Sequence, residues 1–117
     1  MAQSLSVNYE TFRMLPPNEF FVMLKNDENK LLIDVRRPNE FQRDGLKSFM
    51  NLDVSSSNFH VVTSKLSRET KIYVICQNGK RTTIASKHLA RLGFIVFGLM
   101  GGTESIPVTE FKLCKTG

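Results

Sequence analysis

The 117-residue sequence predicts one α/β domain, with a mostly parallel central sheet covered by helices on both faces in three layers. Three observations carry that prediction. Residues 31–35, 72–75 and 95–97 are short, almost continuously apolar runs, the habit of strands buried on both sides. Between them, apolar residues recur at helical spacing. The length is enough for one domain with a core and too little for two.

Residues 1–11 are polar and weakly patterned, a loose lead-in to a domain over residues 12–106. A short apolar stretch at 12–15 precedes Pro16 and Pro17, which suit the first turn of a helix. Phe20, Phe21, Met23 and Leu24 give that helix an apolar face, and residues 26–29 stop it. The strand at 31–35 follows, interrupted by Asp34. Pro38 opens a second short helix carrying Glu40 and Phe41, and Gly45 ends it. Residues 49–52 read as a short strand. Ser55, Ser56 and Ser57 offer N-cap hydroxyls for a helix through Val61, Val62 and Leu66. The run at 72–75 is the clearest strand and reads as central. From residue 81 to 92, Ile84, Ala85, Leu89 and Leu92 form a helical stripe. Gly93 stands where a C′ glycine belongs, and Phe94 packs back over the last turn. The strand at 95–97 completes the set. Residues 107–117 form a tail with no assigned element.

Hydrophobic residues make up 41% and charged residues 23%, ordinary globular usage. No apolar run approaches the ~18 residues of a membrane helix, and the first nine residues have no signal-peptide pattern. A cytoplasmic protein without a membrane partner is expected. Cys76 and Cys114 are too few for a disulfide scaffold. With His60 and His88 at no ligand-like spacing, no metal site is expected either.

The net charge is +5, and its location is informative. Between Thr70 and Thr103 there is no acid, but there are Lys71, Lys80, Arg81, Lys87 and Arg91. The remaining 11 acids face 11 bases elsewhere, so the whole excess surrounds Cys76. A solvated helix face is the plain reading. The sharper one is a field that attracts anionic substrates and favours a thiolate. Nucleic-acid binding ranks below both, because the segment lacks aromatics at stacking intervals.

Cys76 falls at the carboxyl end of the clearest strand and just before the clearest helix, the edge where sites form in parallel sheets. The loop between them is Cys76-Gln77-Asn78-Gly79-Lys80-Arg81. Gly79 permits a positive φ, so successive backbone N–H groups can turn inward. The helix N-terminus, Lys80 and Arg81 add positive charge. Each favours thiolate, and thiolate is the nucleophile.

That loop, with the strand and helix around it, resembles the active-site segment of rhodanese domains. The likeness continues through Leu92-Gly93-Phe94 to Gly101-Gly102-Thr103-Glu104. Asp34-Val35-Arg36, followed by Glu40-Phe41, is similar to the family's first signature. The similarity runs from about Phe12 to Ile106, and it implies a rhodanese-like three-layer fold. Two departures stand out. Leu46 follows Gly45 where the family often has histidine, and Ile106 stands where it often has tryptophan.

The resemblance implies a thiosulfate-type sulfurtransferase with Cys76 as the catalytic nucleophile and no cofactor. Cys76 would take sulfur from a small anionic donor such as thiosulfate and hold it as a persulfide. Gln77, Asn78, Gly79, Lys80, Arg81 and Thr82 would form the substrate-binding cradle. A thiophilic acceptor (cyanide, glutathione, thioredoxin or a protein thiol) would remove the sulfur. Related phosphatases and arsenate reductases use a loop one residue longer between cysteine and arginine. The four residues between Cys76 and Arg81 are the shorter, sulfur-type spacing. Two other readings share the fold: a persulfide relay fed by a cysteine desulfurase for tRNA or cofactor thiolation, and a non-catalytic regulatory module.

Supporting roles are expected for Asp34, Arg36 and Glu40. Asp34 reads as a carboxylate satisfied by backbone N–H groups or an arginine at the strand end. Arg36 and Glu40, four apart, read as a pair across a turn. Arg37 could border the pocket. Thr82 and Thr83 open the helix, where a hydroxyl caps it or reaches the sulfur. His60 has no evident partner, His88 reads as a packed or surface residue, and Cys114 as an inert thiol.

Overall fold

Residues 12–106 are described by the computed structural model of the protein. Prolines open two of its helices. Pro16 is the extended N-cap of α1 (Pro17–Asn26), and Pro38 is the first residue of α2 (Pro38–Asp44), which ends at Gly45. The strands around them are β1 (Phe12–Leu15), β2 (Lys30–Asp34) and β3 (Met50–Asn51). Helix α3 (Phe59–Ser64), strand β4 (Lys71–Ile75), helix α4 (Lys80–Arg91) and strand β5 (Val96–Leu99) follow, and a short 3₁₀ turn spans Gly102–Ser105. The lead-in at 1–11 and the tail at 107–117, with Cys114, lie outside the described residues.

The five strands form one sheet in the order β1-β5-β4-β2-β3, and every pairing is parallel. The clearest strand of the sequence, β4, is the middle one, as its apolar run predicts. Alternation sorts its side chains between two cores. Tyr73 and Ile75 join Phe20 and Phe21 of α1, while Ile72 and Val74 join Ala85 and Leu89 of α4. Cys76 continues the second set, so it lies on the α4 face of the sheet. Register brings Asp34 beside Ile75, so β2 and β4 end together and deliver residues 35–36 and 76 to one edge.

Four expectations need correction. Residues 12–15 are an edge strand, paired with β5 and not merely an apolar lead. Pro16 directly after so short a run hides its strand character. The N-cap of α3 is Asn58, while Ser56 Oγ, two residues earlier, accepts the Asn58 N–H, and the helix stops before Leu66. Ile84 is 61% exposed, and Thr82, Ala85, Ser86, Leu89 and Ala90 make the buried face of α4. Small side chains let the helix approach the sheet closely, and the branched isoleucine is turned outward. Ile95 is 46% exposed, and the last strand instead runs from Val96 to Leu99.

Candidate active site

The sulfur of Cys76 is buried at the carboxyl end of β4, beneath the first turn of α4. Two backbone N–H groups donate to it: Gly79 at 3.0 Å and Thr82 at 3.3 Å. Gly79 does this as the helix N-cap at φ +95°, a conformation that resists any side chain. Its N–H therefore turns back toward the strand end. The twelve-residue helix aims the positive end of its dipole at the same sulfur. Donors and dipole together suit an anionic sulfur.

The second glycine segment locks this loop from outside. Thr103 N–H donates to the Cys76 carbonyl at 2.8 Å, and Glu104 N–H to the Gln77 carbonyl at 3.0 Å. A Cβ at Gly102 would overlap the Gln77 carbonyl and the Asn78 nitrogen, so only glycine permits the approach. Gln77 Nε2 also donates to Glu104 Oε2 at 2.9 Å. A cavity of about 250 Å³ opens beside these residues, lined by Arg36, Arg43, Asp44, Gln77, Thr103, Glu104 and Ile106.

The expected loop residues divide by what they present. Gly79 and Thr82 meet the sulfur through the backbone. Asn78 folds back to accept the Lys80 N–H at 3.1 Å, and the Lys80 side chain is exposed. Thr83 hydroxyl donates back to the Gly79 carbonyl at 3.1 Å, so it neither caps the helix nor reaches the sulfur. The Thr82 hydroxyl is buried without a partner among the described residues. Arg81 does not face open solvent: its guanidinium forks onto Glu40, at 2.7 Å to Oε1 and 3.0 Å to Oε2. The hydrogen bonds from Arg81 hold the Glu40 carboxyl down at about 2, against the pull of its partial burial. The hydrogen bonds to Glu40 in turn raise the Arg81 guanidinium, against the downward pull of its partial burial.

Arg36 is therefore not the partner of Glu40. Its Nε and Nη2 bind Asp34, Nη2 at 2.8 Å, and its Nη1 binds Asp44 at 2.8 Å. Asp34 also accepts the Arg36 backbone N–H at 3.0 Å, which satisfies the acid within the strand end as expected. Burial pushes the Arg36 guanidinium down, but the hydrogen bonds and charges of Asp34 and Asp44 outweigh it and the net shift is upward. Asn51 spans the same turn, donating to the carbonyls of Asp34 and Arg36. Sequence reasoning missed Asp44, Asn51 and Glu104. Their partners lie 8 to 27 residues away along the chain, and only Glu104 falls in a segment the sequence marks, the one after Gly101-Gly102. Arg37 does not line the cavity, and Arg43 does. His60 does have a partner: its Nδ1 lies 3.3 Å from His88 Nε2 on the outer side of α3 and α4.

No helix among the described residues is long and apolar enough to cross a membrane. The sequence profile of the Rhodanese-like domain matches residues 17–106. A curated relative from Schizosaccharomyces pombe, named "Putative thiosulfate sulfurtransferase, mitochondrial", is 33% identical over 88 residues, 66% of this chain. The matched stretch is 62% of that relative's length. Among solved structures, a rhodanese-related protein from Thermoplasma volcanium superposes with a TM-score of 0.68 at 26% identity, over 80% of this chain and 88% of its own. The polysulfide-sulfur transferase homodimer of Wolinella succinogenes gives 0.69 at 23% identity, over 95% of this chain and 82% of its own. At that identity it speaks for the fold alone. The chain belongs to the rhodanese-like domain family.

Proposed function

We propose that this rhodanese-like domain is a sulfurtransferase that moves sulfane sulfur from thiosulfate, through a Cys76 persulfide, to a thiophilic acceptor. One observation carries the reading: a buried sulfur at a strand end, faced by the Gly79 and Thr82 N–H groups at 3.0 and 3.3 Å.

In the first half-reaction, Cys76 thiolate attacks the outer sulfur of thiosulfate. The donor's S–S bond breaks, sulfite leaves with the bonding pair, and Cys76 carries a terminal sulfide. The Gly79 and Thr82 N–H groups steady that charge. In the second, an acceptor such as cyanide or a thiolate attacks the terminal sulfur and Cys76 departs as thiolate. The cycle needs no cofactor and no outside oxidant. Arg43 on the cavity wall, 3.6 Å from Asp44, and Lys80, the exposed first residue of α4, are the cations this reading assigns to the sulfonate end. Arg81, forked onto Glu40, contributes charge and the shape of the wall.

The test is thiocyanate formation from thiosulfate and cyanide, with Cys76→Ser as control. Turnover that disappears in the variant is expected. If Cys76 takes up no sulfur and no thiocyanate forms, the catalytic reading fails and a regulatory module takes its place. Sulfur released only to a protein acceptor would favour the relay.

A further inference from the structure

The acid-free basic segment does not converge on the sulfur. Arg81 is paired with Glu40, and Lys87 and Arg91 lie beyond the first turn of α4, on its exposed face. The exposed positions of the helix are Lys80, Ile84, Lys87 and Arg91, spaced four, three and four residues apart. That spacing is a single stripe along one helix face, about 16 Å long. Among the described residues, Lys80, Lys87 and Arg91 form no salt bridge. Helix α3 alongside contributes no acid. In the middle of the stripe Ile84 is 61% exposed, beside a cavity of about 250 Å³ floored by Val54, Phe59, His60 and His88. On α3, Val61 is also exposed, at 49%.

We propose that the Lys80–Ile84–Lys87–Arg91 face of α4 is the docking surface for an acidic protein acceptor, which seats an apolar side chain beside Ile84. The inference deepens the sulfurtransferase reading and rests on it for the word acceptor. Position supports it, because the stripe starts in the same helical turn whose N–H groups hold the sulfur. A partner lying along it has its edge at the mouth of the cradle. Charge supports it too, since a cationic face with no acid of its own draws an anionic surface and excludes a cationic one. The apolar centre distinguishes a protein from a nucleic acid. Ile84 and its cavity gain from an apolar knob, whereas a strand of nucleic acid wants exposed rings to stack on, and Phe59 is only 4% exposed. The chemistry at the end of docking is a thiol exchange that balances by itself. The acceptor thiolate attacks the terminal sulfur, the Cys76 S–S bond breaks, and Cys76 leaves as thiolate while the acceptor keeps the sulfur.

The experiment uses the full chain loaded with thiosulfate, checked for the persulfide by intact mass. Two synthetic peptides serve as acceptors, each with one leucine and one cysteine, one flanked by glutamates and the other by lysines. The acidic peptide should discharge the persulfide about tenfold faster at low salt, and added salt should erase the advantage. In a K87E/R91E double variant the preference should reverse, and Ile84→Asp should slow the acidic peptide. Cyanide discharge should stay within twofold of the parent in all variants. Equal rates for the two peptides, or a preference that survives K87E/R91E, would overturn the proposal. So would a single-stranded RNA oligonucleotide that binds through Lys87 and Arg91 while the acidic peptide does not. Absence of any persulfide strikes the reading of Cys76 instead. Binding of a fluorescent acidic peptide with serine for cysteine then still tests the surface, and equal affinity for parent and K87E/R91E would reject it.

Discussion

Arg36 and Arg81 stand at the same edge of the sheet, each forked onto a carboxylate, yet they do different work. The Arg36 side chain is 1% exposed and is shared between Asp34 and Asp44. It closes the turn between β2 and α2 from within. The Arg81 side chain is 31% exposed, sits one residue from the N–H that touches sulfur, and among the described residues pairs with Glu40 alone. Two similar ion pairs thus separate into a device for folding and a device for the site. Burial decides which is which, because removing one partner of a buried pair leaves a charge that water cannot reach.

The comparison is broken most severely at Arg36. Arg36→Ala leaves the fully buried Asp34 without its cation, and a loss of about 3–5 kcal/mol in unfolding free energy is expected by denaturant titration. Arg36→Lys should recover only part of it, because an ammonium cannot reproduce the fork. An alanine variant as stable as the parent would place Arg36 with Arg81.

Arg81→Ala should leave stability within about 1 kcal/mol of the parent while lowering sulfur transfer on the order of a hundredfold, read from kcat/KM with thiosulfate. Arg91→Ala, on the outer stripe, should change cyanide turnover less than twofold. Equal losses at the two positions would mean that bulk charge, and not the cradle, governs the reaction.

Glu40→Gln is the finer cut. Glu40 titrates at about 2 in the folded protein, below its ordinary 4.5. Its contribution to stability is therefore complete above about pH 4.5 and fades as pH falls toward 2. Glu40→Gln should remove that part of the acid sensitivity and lower turnover several-fold, since a loosened Arg81 no longer shapes the wall. An unchanged acid limb of the stability curve would show that the pair is not formed in solution. The smallest effect concerns His88, lowered by burial first, then by His60 and Arg91. A depressed base favours unfolding as pH falls below the ordinary histidine range, so His88→Gln should slightly flatten the stability curve below about pH 6.5.

Local features were legible in the sequence, and partnerships were not. Apolar runs at β2 and β4 and the prolines before α1 and α2 announce themselves over a few residues. So does the loop from Cys76 to Arg81, because a cysteine at a strand end, a glycine and a helix start lie in one stretch. The Glu40–Arg81 fork joins residues 41 apart and depends on how α2 lies against α4. Spacing alone suggested Arg36 for Glu40 and left His60 without His88. Ile84 misled for a related reason. Its hydrophobicity fits a core stripe, but the helix approaches the sheet on Thr82, Ala85 and Ser86, and the larger residue faces out. The basic segment was legible as a charge count, while the run of Lys80, Lys87 and Arg91 along the exposed face of α4 required the helix to be placed.

Whether Cys76 carries sulfur is best tested by incubating the full chain with thiosulfate alone and weighing it intact. The expected result is the addition of one sulfur atom, localised to Cys76 by peptide mapping, released by cyanide and absent in Cys76→Ser. An unmodified mass, or an adduct that persists in Cys76→Ser, would contradict it.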